Sequence, residues 1–405
     1  MKRLVLSLAV LAACGAVGQE KPLPQHRAAE ANSDVATAAL RASKFADARE
    51  AATAALGRDP RDARAAAVRA IANYQISSHN VFGELESIIR GADNFKFFDH
   101  AGGRAAWQRW LNMLEGAQND LEITAADDSF SLELCLACWQ VDWNRSGSLD
   151  ERDGHFLEIE VDHAGKPLPD GDPRRRPTFH FDRGDAEWAL AMLSFQRAFG
   201  EIVLAYKWSA IDQLETGDHE VLAIPVGDKA RVTKARTLIL DGLAHADKCR
   251  TQYLAETDDD REWVPNPRQK SYSVPLEMDA SVYATWDAVI GDVRRMLESQ
   301  EGVSLRDLAK LADAHDDELR MVPDAYIDIG RMLREPTEIR VEMKRLITNP
   351  DAATIQSVLR GVLGTGYRDA MKASPLPGRL RAMKTQMDRG EDTFDRKLRY
   401  LLWLN

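Results

Sequence analysis

The sequence predicts a mainly α-helical protein in which helical hairpins pack round a buried central helix, with one small β-hairpin after an acidic loop. Three observations lead to that class. Apolar side chains recur at spacings of three and four through much of the chain, which gathers them on one face of a helix. From Asp185 to about Trp208 runs a segment apolar on nearly every face, through Trp188, Leu190, Met192, Leu193, Phe195, Phe199, Ile202, Val203 and Leu204. Such a helix belongs at the centre of a large core. By contrast, Leu157 to Val161 alternates apolar with acidic residues, which is the period of a strand.

The chain opens with Met1-Lys2-Arg3 and a short apolar run, a pattern that predicts an export signal over residues 1–18. Leu11-Ala12-Ala13-Cys14 resembles the lipobox of bacterial lipoproteins. That resemblance implies cleavage before Cys14 and a lipid on the cysteine, with Gly15 resembling the group sorted to the outer membrane. Ordinary cleavage after Ala16-Val17-Gly18 is the rival reading. Residues 19–27, polar with two prolines, are expected to be a tether.

Residues 28–120 are expected to form an N-terminal helical region. Within it, Phe45, Ala48, Ala51, Ala52, Ala55 and Leu56, ahead of Asp59-Pro60, resemble one tetratricopeptide repeat. A groove of that family needs several stacked repeats, and no second copy follows at the expected period. The structural consequence is one αα-hairpin. A second helical stripe follows in Trp107, Trp110, Leu111 and Leu114.

The next region, 121–256, holds the most specific motif. Asp142, Asn144, Ser146, Asp150 and Asp153 place side-chain oxygens at positions 1, 3, 5, 9 and 12 around Gly147, with Ser148 supplying a backbone carbonyl at 7. This spacing resembles the EF-hand calcium loop, in which a hard cation takes oxygen ligands and a glycine makes the sharp bend. The resemblance implies a weak structural calcium site, because Asp153 stands where that family usually has a bidentate Glu. It also implies that Leu149 faces the core. Leu134, Cys138 and Val141 are spaced as an entering helix, whereas the exit reads as a strand, and Glu158 and Glu160 are candidates for an extra carboxylate ligand. Residues 156–181 are expected to hold the β-hairpin, its connection an exposed loop with Pro167, Pro169 and Asp170-Gly171-Asp172-Pro173. Asp185 is expected to cap the central helix.

The last region, 257–405, is expected to be helical and packed on the same core, as one large domain or as two lobes joined near the loop. Asp279 is expected to cap a helix carrying Val282, Trp286, Val289, Ile290 and Val293, and Ser304 another with Asp307. The proline-rich crossing from Trp263 to Pro275 has a length that is usually functional or firmly packed. Glu256 to Glu262 reads as a solvated acidic helix end, Gly361 to Gly366 as a helix C-cap, and the apolar end Leu401 to Leu404 as docked in the core.

The formal net charge of −11 argues against nucleic acid as a partner. Membrane contact is expected through the lipid anchor alone. Cys135 and Cys138 are read as buried small side chains or a structural pair, and Cys249 makes an odd thiol count. No nucleophile motif stands out. The expectation is an exported calcium-binding scaffold of the cell envelope, on the periplasmic face of the outer membrane or the cell surface, with an envelope protein or peptide as partner. The alternative is a metal-assisted hydrolase assembled between Asp142 and Asp185 from acidic residues with His155, His163 and His180.

Overall fold

The computed structural model describes residues 30–91, 99–142, 147–149, 153, 158–162, 166–216, 220–257, 261–269, 278–348 and 351–387. It is mainly helical, with small antiparallel strand pairs. The signal, Cys14, the tether, Asn144, Ser146, Asp150, His155, His163, Asp258 to Asp260 and Leu401 to Leu404 lie outside the described residues.

Three helices open the described chain, α1 (Glu30–Arg41), α2 (Phe45–Leu56) and α3 (Ala63–Gly91), each packed on the next. The alanines of α2 explain the close approach: Ala48, Ala52 and Ala55 are buried against the core. The αα-hairpin expected to end at Pro60 corresponds to α1 and α2. Helix α4 (His100–Ala125), capped by Asp99 accepting from the Gly102 amide, returns alongside α3. A partly buried ion pair, Arg69 Nε to Asp120 Oδ2 at 2.9 Å, joins the two.

The central helix α5 (Arg183–Ala205) packs against α4 and, most extensively, against α6 (Lys229–Ala255). Its N-cap is Asp182 rather than Asp185. Asp182 accepts from the Gly184 amide, and Asp185, three residues on, accepts from the Asp182 amide at 2.7 Å, so the two acids form a capping box. Glycine decides the spacing between α5 and α6, since a Cβ at Gly242 would lie 2.6 Å from the Phe195 ring. The charged residues of α5 also have partners across the bundle. Arg197 donates to Gln118 of α4 at 2.5 Å, and Glu201 is held by Arg231 at 2.6 Å and Lys234 at 2.9 Å on α6. No described helix is long and apolar enough to cross a membrane.

Strands β1 (Leu132–Leu134) and β2 (Phe179–Phe181) pair antiparallel. The expected hairpin is thus corrected. The strand at Phe179 closes on residues ahead of the acidic loop, because Leu132 and Leu134 supply the apolar partners that Phe179 and Phe181 need. Among the described residues of 156–181, the pairing internal to the segment is a narrow bridge between Val161 and Pro167, with Leu168 N donating to Glu160 O at 2.8 Å. The β1–β2 pair consequently pins both ends of an excursion, residues 135–178.

In the second half, β3 (Leu222–Ile224) precedes α6, and α7 (Ala280–Leu297) is capped by Asp279 as expected. Strand β4 (Val303–Ser304) leads into α8 (Leu305–Leu311), capped by Ser304, and then α9 (Asp316–Met321). Strand β5 (Tyr326–Ile327), α10 (Ile329–Arg334), β6 (Ile339–Val341), α11 (Met343–Thr348) and α12 (Ala352–Leu363) follow. Helix α12 ends at Gly364, whose φ is +52°, so the glycine cluster there is a helix terminus. Strand β7 (Tyr367–Arg368) completes a three-stranded sheet in the order β4, β5, β7, while β6 pairs with β3, and α13 (Leu376–Met387) packs on α7 and α8. One apolar cluster runs from Ala36 through Trp188, Tyr253 and Trp286 to Met383.

Candidate metal loop and buried carboxylates

The excursion between β1 and β2 begins with a 3-10 turn over Leu136–Cys138, closed by a disulfide between Cys135 and Cys138. The entering helix read from Leu134, Cys138 and Val141 is absent. Leu134 belongs to a strand, and the pairing of two cysteines three residues apart fixes a tight turn in its place. Phe45 of α2 packs edge-on to Trp139 at 5.3 Å between centroids, and the Gln140 amide donates to Ser43 Oγ at 2.8 Å, so the loop's entry is tied to the first helical hairpin.

Two described features fit the cation-loop geometry. Gly147 has φ +87°, a backbone that favours glycine. Its amide donates to Asp142 Oδ2 at 2.7 Å, which folds the loop's first carboxylate back across its own bend. Asp153 is buried at 4% exposure and lines a depression together with Trp139, Leu149 and Arg176.

Two expectations about this loop are corrected. Leu149 does not face the core; it is 55% exposed, because the chain enters from a turn and brings no helix to cover that position. Glu158 is claimed by cations, with Arg175 Nη2 at 2.7 Å from Oε2 and Arg176 Nε at 2.7 Å from Oε1. A buried carboxylate neutralised by two guanidinium groups is a poor further ligand. The turn that carries these arginines is itself held by Asp172, whose carboxyl the Arg174 side chain and amide pull down to about 2.

His180 sits in β2 at 6% exposure, with Nε2 at 3.2 Å from Glu133 Oε1 across the strand pair. Among the described residues no group of three or more His, Cys, Asp and Glu side chains is placed to hold a metal ion. Asn144, Ser146 and Asp150 are not among them.

A second cluster lies where α5 begins and α6 ends. The acidic stretch after α6 departs at Glu262 from the solvated end expected of it. Glu262 is fully buried, its backbone bridges to His180 of β2, and Oε1 accepts from Gln269 Nε2 at 2.8 Å. The described start of the crossing, residues 263–269, is firmly packed: Trp263 and Val264 are buried, and Asn266 Nδ2 donates to the Tyr253 carbonyl at 2.8 Å, closing the end of α6. Tyr253 in turn donates its hydroxyl to Asp185 Oδ1 at 3.0 Å. Burial, reinforced by the negative charge of Asp185, pushes the Glu262 carboxyl up to about 9. The Glu262 carboxyl therefore keeps its proton at pH 7. Burial also raises the Cys249 thiol and the Tyr253 phenol well above their ordinary values.

One local sequence signal marks this cluster. Glu262 is followed directly by Trp263-Val264-Pro265, an apolar run that a solvated acidic end does not have.

Comparison with protein-family models, curated proteins and solved structures found no match.

Proposed function

We propose that this chain is an exported, lipid-anchored calcium-binding scaffold of the bacterial cell envelope, with the loop Asp142 to Asp153 as a structural cation site. The observation that carries the reading is the bond from the Gly147 amide to the Asp142 carboxylate at 2.7 Å, made across a bend at φ +87°. A carboxylate oriented by the backbone it must bend round is part of the way to a coordination shell. Asp142, Asn144, Ser146, Asp150 and Asp153 would offer side-chain oxygens and Ser148 its carbonyl. The ion's part is to hold the excursion between β1 and β2 in one conformation.

Location is supported by two features of the chain. The Cys135–Cys138 disulfide suits an oxidising compartment, and the leader with its lipobox-like Cys14 suits export and anchoring. The partner class proposed is an envelope protein or peptide.

The test is luminescence of terbium, an oxygen-seeking ion excited through nearby tryptophan, with Trp139 in the wall of the same depression. Terbium should light up with the parent chain, be displaced by calcium at roughly 0.1 to 1 mM as extracellular modules are, and give no signal with Asp142→Ala. Emission that survives Asp142→Ala, or that calcium leaves unchanged, refutes the site.

A further inference from the structure

We infer that the Cys135–Cys138 disulfide is a thiol–disulfide exchange site, opened and re-formed in the folded chain by a dithiol partner that attacks at Cys138. Cys138 is exposed and lines a surface depression with Ala137, Gln140 and Leu149, whereas Cys135 is half-buried. The turn between them is seated by its middle, since Leu136 and Ala137 are buried. Exchange depends on access to the sulfur attacked, so an incoming thiolate has Cys138 as its approach.

The turn does not depend on the bond. Cys138 N donates to the Cys135 carbonyl at 3.0 Å and Trp139 N to the Leu136 carbonyl at 3.1 Å. Just beyond it, the Trp139 ring packs on Phe45 and the Gln140 amide donates to Ser43. A ring closed between cysteines three residues apart removes little chain entropy from the unfolded state. An exposed disulfide that adds little to the fold belongs with the labile and regulatory ones rather than the structural ones. The opened form also has a place for its thiol. Cys135 Sγ lies 3.5 Å from the Arg176 carbonyl oxygen, so a Cys135 thiol would be a weak donor to an acceptor already beside it.

Exchange runs in two steps. The partner's first thiolate bonds to Cys138 Sγ, the Cys135–Cys138 bond breaks, and its electron pair leaves on Cys135, which takes up a proton. The partner's second thiolate then attacks the partner's own sulfur in the mixed disulfide, and Cys138 leaves as a thiolate and is protonated. The chain gains two electrons and two protons, and the partner's dithiol becomes a disulfide; the reverse sequence closes the bond. A dithiol is the suitable class because Cys135, held three residues away, would return to Cys138 and expel a single thiol. The exchange itself needs no cation in the loop.

The test uses the full chain without denaturant, equilibrated with dithiothreitol, after which free thiols are alkylated and located by peptide mass. In about a tenfold excess of oxidised over reduced dithiothreitol the bond should be mainly reduced, whereas a structural disulfide stays closed in such a buffer. Cys249 is completely buried and should remain unalkylated until urea is added, which shows that the fold is intact. In single variants treated with oxidised glutathione, Cys138 in Cys135→Ser should form the mixed disulfide at least about tenfold faster than Cys135 in Cys138→Ser. Where a variant does not fold, the equilibrium with the parent chain decides alone. A bond that stays mainly oxidised, or that opens only as Cys249 becomes alkylated, overturns the proposal, as does equal or reversed reactivity of the two cysteines.

Discussion

The Tyr253 hydroxyl donates to Asp185 Oδ1 at 3.0 Å, and this bond joins the last turn of α6 to the first turn of α5. Both residues are buried, Tyr253 completely. Asp185 therefore serves two elements at once, since its other oxygen accepts from the Asp182 amide that begins its own helix.

Tyr253→Phe keeps the ring against Trp286 and removes only the hydroxyl. It leaves a buried carboxylate oxygen without this donor, which should cost about 1 to 3 kcal/mol. Urea unfolding, with the midpoint lowered and the slope unchanged, checks the value.

Glu262 makes stability depend on pH in an unusual direction. Its folded value of about 9 lies above its ordinary 4.5. The folded chain therefore holds a proton that the unfolded chain releases between those values, and the contribution is fully present below pH 4.5 and lost as pH rises toward 9. One proton limits the slope to about 1.4 kcal/mol per pH unit. Glu262→Gln keeps the acceptor for Gln269 and cannot ionise. The variant should gain on the parent steadily from pH 5 to 9 in denaturant unfolding, and parallel curves would show that Glu262 is charged in the fold.

Glu187 behaves in the opposite sense. Burial alone would raise its carboxyl, but bonds from His245, at 2.5 Å, and Lys248, at 3.2 Å, outweigh burial and lower it. A depressed folded value means stability present above the ordinary carboxylate range and lost as pH falls through the folded value. His245→Ala should cost roughly 1 to 3 kcal/mol near neutral pH, less than breaking a fully buried pair because Lys248 remains. The parent and variant should converge in thermal unfolding below pH 4.

Reduction of Cys135–Cys138 should have a small effect, because the closed loop is very short. Chain entropy for such a loop gives about 2 kcal/mol at most. Cys135→Ser with Cys138→Ser should therefore fold, with a lower midpoint and, in the parent under denaturing conditions, two fewer alkylatable thiols before reduction than after.

Much of the helical frame was legible because it rests on local signals. Asp279 and Ser304 cap the helices whose apolar faces follow them, and the alanines of α2 mark a close helix contact. What was not legible depends on partners distant in sequence. Leu134 and Cys138 have helical spacing, yet Leu134 pairs with Phe179 and Cys138 with Cys135, and those two long- and short-range bonds override the period. Asp182 and Asp185 both suit a cap, and only the geometry tells N-cap from third position. In the candidate site, Gly147 takes the sharp bend its residue type allows, whereas Leu149 faces outward and Glu158 is bound by arginines from a turn seventeen and eighteen residues on. The burial of Glu262 needed β2 and the Trp263 crossing, neither of which its own neighbours specify.

The central claim is the cation loop, and thermal unfolding with calcium, with magnesium and with chelator tests it most directly, in the parent and in Asp142→Ala. Calcium at ten times its dissociation constant should add about 1.4 kcal/mol. The parent's midpoint should rise by roughly 1 to 3 °C, less with magnesium and not at all in Asp142→Ala. A parent midpoint indifferent to calcium, or an equal rise in the mutant, would contradict the account and leave Asp142 to Asp153 as an ordinary turn.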